Sequence, residues 1–168
     1  MDIIENTKML VRYKAWADDI TFSAVSKLPS AEITKQRKTR FGNIVHTLNH
    51  VYVIDDIFKA HLSGEKHHYT ARNTDNHPHL SDLYKSQMTI NRWYIDYVDS
   101  LSEELLNTIV NFQFIGGGDG AMSRLNILLH VINHSTYHRG FVGDMFYQIP
   151  AIPPANDLPV FLRDIAEG

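Results

Sequence analysis

The amino-acid sequence predicts an all-α fold, a four-helix bundle, and three observations favour it. Four segments of helical length carry apolar residues at intervals of three and four positions, as expected of helices that bury one face. Proline, serine or glycine follows three of these segments where the periodicity stops. A polar connection over residues 64–80 separates the second segment from the third, and it is long enough to cross the end of a bundle.

The ends of the four helices follow from residues that start or stop a helix. Pro29 comes directly after Leu28 and ends the first helix, and Gly64 stops the second. Ser81 is predicted to cap the third helix, and Pro150 lies just beyond the fourth. The predicted helices span residues 3–28, 41–62, 81–101 and 123–147.

The remaining segments are predicted to be short or irregular. Residues 110–115 alternate apolar and polar side chains before a glycine-rich run, which predicts a short strand or an extended loop that could form a small hairpin. Residues 151–154 read as extended loop, and residues 158–166 as a short closing helix. With no internal repeat, the simplest organisation is one domain over residues 1–168.

Composition and charge narrow the class of protein. Apolar residues make up 43% of the chain and the net charge is -3, so there is no general attraction to nucleic acid or to anionic membranes. The chain has no membrane-spanning run and its start does not resemble a signal peptide, so we expect a cytoplasmic protein without a membrane partner. Without cysteine there are no thiolate metal ligands, whereas ten histidines are many for this length.

Three of these histidines form a ladder in the fourth helix. His130, His134 and His138 recur at every fourth residue, which stacks their imidazoles on one helical face. Neutral imidazole is the commonest protein ligand of transition metals. Neighbouring rungs of the ladder can share an ion, but the outer two histidines lie about 12 Å apart along the axis. Two ligands from this helix therefore need at least one more from elsewhere.

The second helix offers that ligand, because His46 and His50 are also four residues apart. If the two helices are antiparallel, His50 can join His134 and His138. If they are parallel, His46 can join His130 and His134. The spacing alone does not choose between these two sites.

A resemblance to a known family adds to this reading. Residues 130–140, His-Val-Ile-Asn-His-Ser-Thr-Tyr-His-Arg-Gly, resemble the hallmark motif of the DinB-like family of metal-dependent proteins. Residues 13–17 (Tyr-Lys-Ala-Trp-Ala) resemble its first-helix motif, and residues 41–50, followed by Asp55, resemble its second-helix motif. The pattern around Pro153 and Asp157 is similar to its C-terminal part. The similarity thus extends over nearly the whole chain in the same order.

The resemblance implies an up-down-down-up four-helix bundle and a divalent metal, nickel or zinc, bound by His50, His134 and His138. It also implies a homodimer. The chain departs from the family pattern at four positions, where relatives commonly have His, Gln, Trp and Asn. These positions are Tyr137, Phe141, Phe58 and Asp18. None of them is a proposed ligand, but Phe58 and Phe141 weaken any transfer of the substrate class.

Three functions remain open at this point. Relatives in the wider family include transferases that use a low-molecular-weight thiol such as bacillithiol, which makes this chain a candidate enzyme acting on a small-molecule substrate. A metal-dependent hydrolase is the second candidate, but no general base stands at helical spacing from the ligands, and Asp55 is about 140° around the helix from His50. A non-catalytic metal-binding stress-response protein is the third. Nucleic acid is disfavoured as a partner by the acidic balance.

Residues near the ladder are assigned supporting roles. His46 and His130 are expected to bond backbone groups or support the ligands. Arg139 is predicted to point away from the metal and pair with an acidic residue of a neighbouring helix, and Gly140 to permit close helix packing. Five further histidines are expected to decorate a solvated loop: His61, His67, His68, His77 and His79.

Overall fold

The computed structural model describes residues 2–167. In chain order the helices and strands are α1 (Ile3–Val25), α2 (Ser30–Thr34), α3 (Ile44–Ser63), α4 (Leu80–Asp99), α5 (Glu103–Leu106), β1 (Ile109–Gln113), β2 (Asp119–Ser123), α6 (Arg124–Tyr147) and α7 (Leu158–Glu167). The all-α class is confirmed, with α1, α3, α4 and α6 as the four long helices. The sequence did not predict the two short helices α2 and α5.

Two helix starts differ from the predictions, and in each case the capping residue explains the observed start. α3 begins at Ile44, three residues later than predicted, since the side chain of Asn43 accepts a hydrogen bond from the His46 amide at 2.8 Å. α4 begins at Leu80, and its cap is His79, not Ser81: the His79 side chain accepts from the Ser81 amide. Asp2 caps α1 in the same way through the Glu5 amide.

The long helices form two antiparallel pairs. Arg12 near the start of α1 contacts Asp99 at the end of α4, whereas Asp19 further along α1 accepts a hydrogen bond from Tyr84 near the start of α4. Helices α3 and α6 are antiparallel as well. His50 contacts His134, whereas Leu62, at the end of α3, contacts Arg124, at the start of α6.

Neighbours from different pairs run parallel. For α1 and α6, Val11 shares one core cluster with Val131, and Phe22 shares another with Val142. For α3 and α4, Asp55 accepts a hydrogen bond from Gln87, and the Lys59 ammonium lies over the Trp93 ring. Taken in chain order, the directions are therefore up, down, down and up.

The connection over residues 65–79 makes the parallel arrangement of α3 and α4 possible. A helix of 20 residues is about 30 Å long, so the chain must return that distance before α4 can start beside α3. Asn73 and Thr74 both accept hydrogen bonds from the Asn49 side chain, at 2.6 and 2.7 Å, and Asn73 donates to the carbonyl of His46. The returning chain is thereby fixed along the first half of α3.

A buried layer of polar side chains separates two of the apolar clusters of the core. The Lys14 ammonium donates to Asp18 at 2.9 Å, to Asp55 at 2.7 Å and to Asn91 at 2.8 Å. Arg139 pairs with the other oxygen of Asp18 at 2.8 Å. Two cations thus face two carboxylates without access to water, and each of the four long helices contributes to the layer.

The strands β1 and β2 form an antiparallel hairpin that packs against α3 and α6. Phe112 lies opposite Gly120, and a β-carbon at Gly120 would lie 2.5 Å from the Phe112 ring. Glycine is needed there because the ring of Phe112 crosses the partner strand on its way into the core. Over the part of the chain that the structure describes, none of the helices combines the length and apolar character needed to span a membrane.

Candidate metal centre

Three histidines meet between α3 and α6. His50, His134 and His138 each offer a ring nitrogen, and these atoms all lie within 4.8 Å of one another. The Nε2 atoms of His50 and His134 are 3.0 Å apart. The antiparallel packing of α3 and α6 brings His50 to this pair, as expected for one of the two sites left open by the spacing. The other combination does not form, because His46 lies outside the cluster.

The ring of His50 is oriented by the returning connection. Its Nδ1 lies 2.6 Å from the carbonyl oxygen of Arg72, so Nδ1 carries the proton and donates it. Nε2 is then the nitrogen with a free lone pair, and it is this atom that faces His134. Metal-binding histidines usually have such a hydrogen bond from the other ring nitrogen.

The separation of these nitrogens suits a metal ion. Two nitrogens each about 2.1 Å from an ion lie about 3.0 Å apart at a right angle and about 3.4 Å apart at a tetrahedral angle. The Nδ1 atoms of His134 and His138 are buried and find no hydrogen-bond partner among residues 2–167. Apart from the contact between the Nε2 atoms of His50 and His134, packing holds these two rings. An all-imidazole site suits zinc, nickel or copper ions better than calcium or magnesium.

The three imidazoles are neutral at neutral pH. Burial, together with the neighbouring His138 and His50, lowers the pKa of His134 to about 2. Burial and His50 lower the pKa of His138 to about 4. The pKa of His50 is also lowered, chiefly by burial, although the hydrogen bond to the Arg72 carbonyl opposes this. Neutral rings keep the lone pairs that a metal ion needs.

Aromatic side chains surround the cluster. The ring of Phe41 stacks on His50 at a centroid distance of 4.3 Å and lies 5.6 Å from His138. The rings of Tyr137 and Phe141 also contact His138, at centroid distances of 5.1 and 5.8 Å. The sequence predicts Phe41 at the start of a helix, whereas the structure has it in the preceding loop, with its ring against His50.

The polar layer of the core lies directly behind the histidines. Ser135 and Arg139 each follow a histidine of α6 by one residue, so they face about 100° away, toward α1. Both contact the same oxygen of Asp18, at 2.6 and 2.8 Å. The prediction that Arg139 points away from the site and pairs with a neighbouring helix is confirmed. These contacts fix the rotation of α6.

The histidines outside the cluster differ from one another in burial and in contacts. His46 bonds the Thr74 carbonyl at 3.0 Å, as expected of a supporting residue, and His130 packs on Phe58 at 4.6 Å. The prediction of a solvated loop is wrong for His61. This residue lies in the last turn of α3, where its half-buried ring stacks on Phe112 at 4.6 Å. His67 is half-buried as well, whereas His68 and His79 are exposed.

Two cavities flank the three histidines. One, of about 280 Å³, is lined by His50 and His134 together with apolar side chains of α3 and the hairpin. The other, of about 850 Å³, is lined by His50 and His138, by the aromatic residues Phe41 and Phe141, and by polar residues of the connection. Arg72 lies at both. The site is therefore reached from two sides that differ in polarity.

Sequence comparison places the chain among known proteins. The model of the DinB family matches residues 4–166. The protein DinB of Bacillus subtilis (strain 168) is 25% identical over 165 residues, which cover 91% of each chain.

Two solved structures share the fold. A DinB-like protein from Bacillus cereus ATCC 10987 has a TM-score of 0.66 at 14% identity, over 86% of this chain and 91% of that one. A conserved protein from Enterococcus faecalis has a TM-score of 0.56 at 14% identity, over 83% and 92% of the two chains. With the family model matched from the first helix to the last, the chain belongs to the DinB family.

Proposed function

We propose that the protein binds one divalent metal ion, nickel or zinc, through His50, His134 and His138, and that it is a transferase using a low-molecular-weight thiol. The observation that carries this proposal is the convergence of three neutral imidazoles beside two cavities. Three protein ligands leave positions at which a small molecule can bind, as in catalytic metal sites.

A divalent ion held by uncharged ligands would supply a Lewis acid that lowers the pKa of a thiol. The residues of the chain do the rest. The Arg72 carbonyl holds His50 with its Nε2 toward the other two histidines, and Phe41 covers one side of that ring. Since the thiol is supplied from outside, the absence of cysteine from the chain is no obstacle.

The larger cavity is the natural place for the thiol cofactor. Arg40 and Arg72 both line it, and neither forms an ion pair within the described part of the chain. Asp75 is the one acidic residue among the described residues that line this cavity. An excess of positive charge suits a cofactor that carries carboxylates, as bacillithiol does.

The test is thiol-dependent turnover of chlorodinitrobenzene by the metal-loaded protein. In this reaction the sulfur–carbon bond forms, the carbon–chlorine bond breaks, chloride leaves and the thiol proton goes to solvent. We expect turnover with a carboxylate-bearing thiol such as mercaptosuccinate, and loss of turnover after chelation or in His134→Ala. No turnover with any thiol, by protein that retains its metal, would contradict the transferase.

A metal-dependent hydrolase is the alternative that one observation favours. A hydrolase needs a base, and Asp55 cannot serve because Lys14 and Gln87 hold it within the core. Asp75 is the carboxylate that lines a cavity beside the histidines. In a hydrolase, Asp75→Asn would lower kcat with ester substrates, whereas the transferase would keep its activity with thiols.

If neither activity is found and the metal has no exchangeable water, the third candidate applies, a non-catalytic metal-binding protein. We also propose, on the family resemblance, a homodimer located in the cytoplasm. Sedimentation of the metal-loaded protein tests the dimer, and a mass of one chain at micromolar concentration would contradict it.

A further inference from the structure

The smaller of the two cavities beside the histidines has apolar walls formed by helix α3 and by the hairpin. One side is formed by Ile54, Ile57 and Phe58, which follow His50 along α3. The opposite side is formed by Phe112 of β1 and by Ile115 at the turn of the hairpin. A bundle helix and the hairpin thus enclose a space that opens onto His50 and His134.

The cavity carries almost no charge. Among the described residues that line it none is acidic, and Arg72, at the boundary with the larger cavity, is the one cation. Burial lowers the pKa of His61, so this lining residue is neutral as well. A cationic group entering the space would lose its hydration without gaining an acidic partner, whereas an apolar group would gain contacts.

Its size and walls suit a ring. A cavity of about 150 Å³ lined by apolar side chains is known to bind benzene. The 280 Å³ available here accommodates one six-membered ring with a short substituent. Phe58 and Phe112 meet edge to face at 5.7 Å, and His61 stacks on Phe112. Such aromatic walls favour an aromatic guest.

We infer that this cavity binds an uncharged aryl or branched alkyl group of the substrate, beside the metal ligands, while the charged cofactor occupies the larger cavity. This inference rests on the proposed function, since it assigns the second of the two reactants. It gives the hairpin a role: its residues select the substrate.

Fluorine NMR of two small probes tests the inference without turnover. Para-fluorotoluene is neutral, and para-fluorobenzylamine is the same ring with a cationic group. We expect the neutral probe to bind at least about tenfold more tightly than the cation. Equal affinity for the two probes, or no binding of the neutral one, would overturn the inference.

A matched pair of variants locates the bound probe. Ile115→Trp adds bulk at the wall of the cavity, whereas Ile109→Trp makes the same change on β1 at a side chain that is 60% exposed and lines neither cavity. Ile115→Trp should weaken binding of para-fluorotoluene about tenfold or more, and Ile109→Trp should leave it unchanged. Equal effects of the two variants would place the probe elsewhere and overturn the inference.

A measurement on the unmodified protein tests the same inference without relying on variants that could misfold. Cobalt loaded in place of zinc should speed fluorine relaxation of bound para-fluorotoluene, because the cavity borders His50 and His134. Metal-loaded protein that binds the probe without faster relaxation would contradict the inference. Protein that takes up no metal but still binds the probe, with sensitivity to Ile115→Trp, would instead contradict the proposed function.

Discussion

The Nδ1 atom of His50 lies 2.6 Å from the carbonyl oxygen of Arg72. This hydrogen bond joins a helix of the bundle to the long connection that returns along it. It fixes the tautomer of His50, so that Nε2 faces the nitrogen of His134 at 3.0 Å. The connection therefore takes part in building the site as well as in closing the fold.

The aromatic ring on His50 is expected to strengthen metal binding. Phe41→Ala removes a ring stacked at 4.3 Å, which admits water and loosens the orientation of the imidazole. We expect metal affinity, measured by competition with a chelator, to fall about tenfold. Tyr147→Ala, which removes an exposed aromatic ring at the end of α6, is the control and should leave the affinity unchanged. A loss of the same size in both variants would refute a specific role for Phe41.

Asp18 holds the polar layer of the core together. Burial alone would raise its pKa, but Lys14 and Arg139 outweigh burial and lower it, so the carboxylate is charged. Asp18→Asn leaves two buried cations facing one carboxylate. We expect the free energy of unfolding in urea to fall by about 3–5 kcal/mol.

Asp19→Asn is the matched control for that change. Asp19 follows Asp18 in α1, but its side chain is exposed and accepts a hydrogen bond from Tyr84. Its loss should cost less than about 1.5 kcal/mol. If the two variants unfold at the same urea concentration, the buried layer does not contribute as described.

The stability of the metal-free protein should fall on mild acidification. The unfolded chain takes up protons at its histidines below about pH 6.5, whereas the pKa values of His134 and His138 are lowered to about 2 and 4 in the fold. The unfolded state therefore binds more protons between pH 6.5 and 4, and stability is lost as the pH falls through that window. His134 contributes a slope of up to about 1.4 kcal/mol per pH unit.

Urea unfolding at several pH values, in the presence of a chelator, measures this slope. His134→Gln removes the titrating group and should flatten the curve, whatever its effect on absolute stability. A slope that does not change in His134→Gln would show that this ring is not held neutral by the fold.

The sequence predicts the long helices well because each buries one face, and that burial imposes a period close to 3.6 residues. It predicts their ends less well. The start of α3 depends on Asn43, which follows Gly42 with a φ of 79°. Close packing at Gly140 was predicted wrongly: a β-carbon there would meet nothing within 4 Å outside its own helix and its chain neighbours.

The site was only partly predictable for a different reason. Spacing identified the histidines that can share an ion but left the direction of the helices open. That direction depends on the path of the connection after Gly64. The contact of Phe41 with His50 joins a loop to a helix, and no local pattern in the amino-acid sequence predicts it. The polar layer does have a sequence signal: Lys14 and Asp18 are four residues apart on the buried face of α1, which is the spacing of an ion pair within a helix.

The metal content of purified protein tests the central claim most directly. Elemental analysis should find about one divalent ion per chain in the unmodified protein and in His130→Ala, whose ring lies 5.6 Å from that of His134 but outside the cluster. His134→Ala should lose the ion. Retention of the ion by His134→Ala, or its loss from His130→Ala with His138→Ala still loaded, would contradict a site formed by His50, His134 and His138.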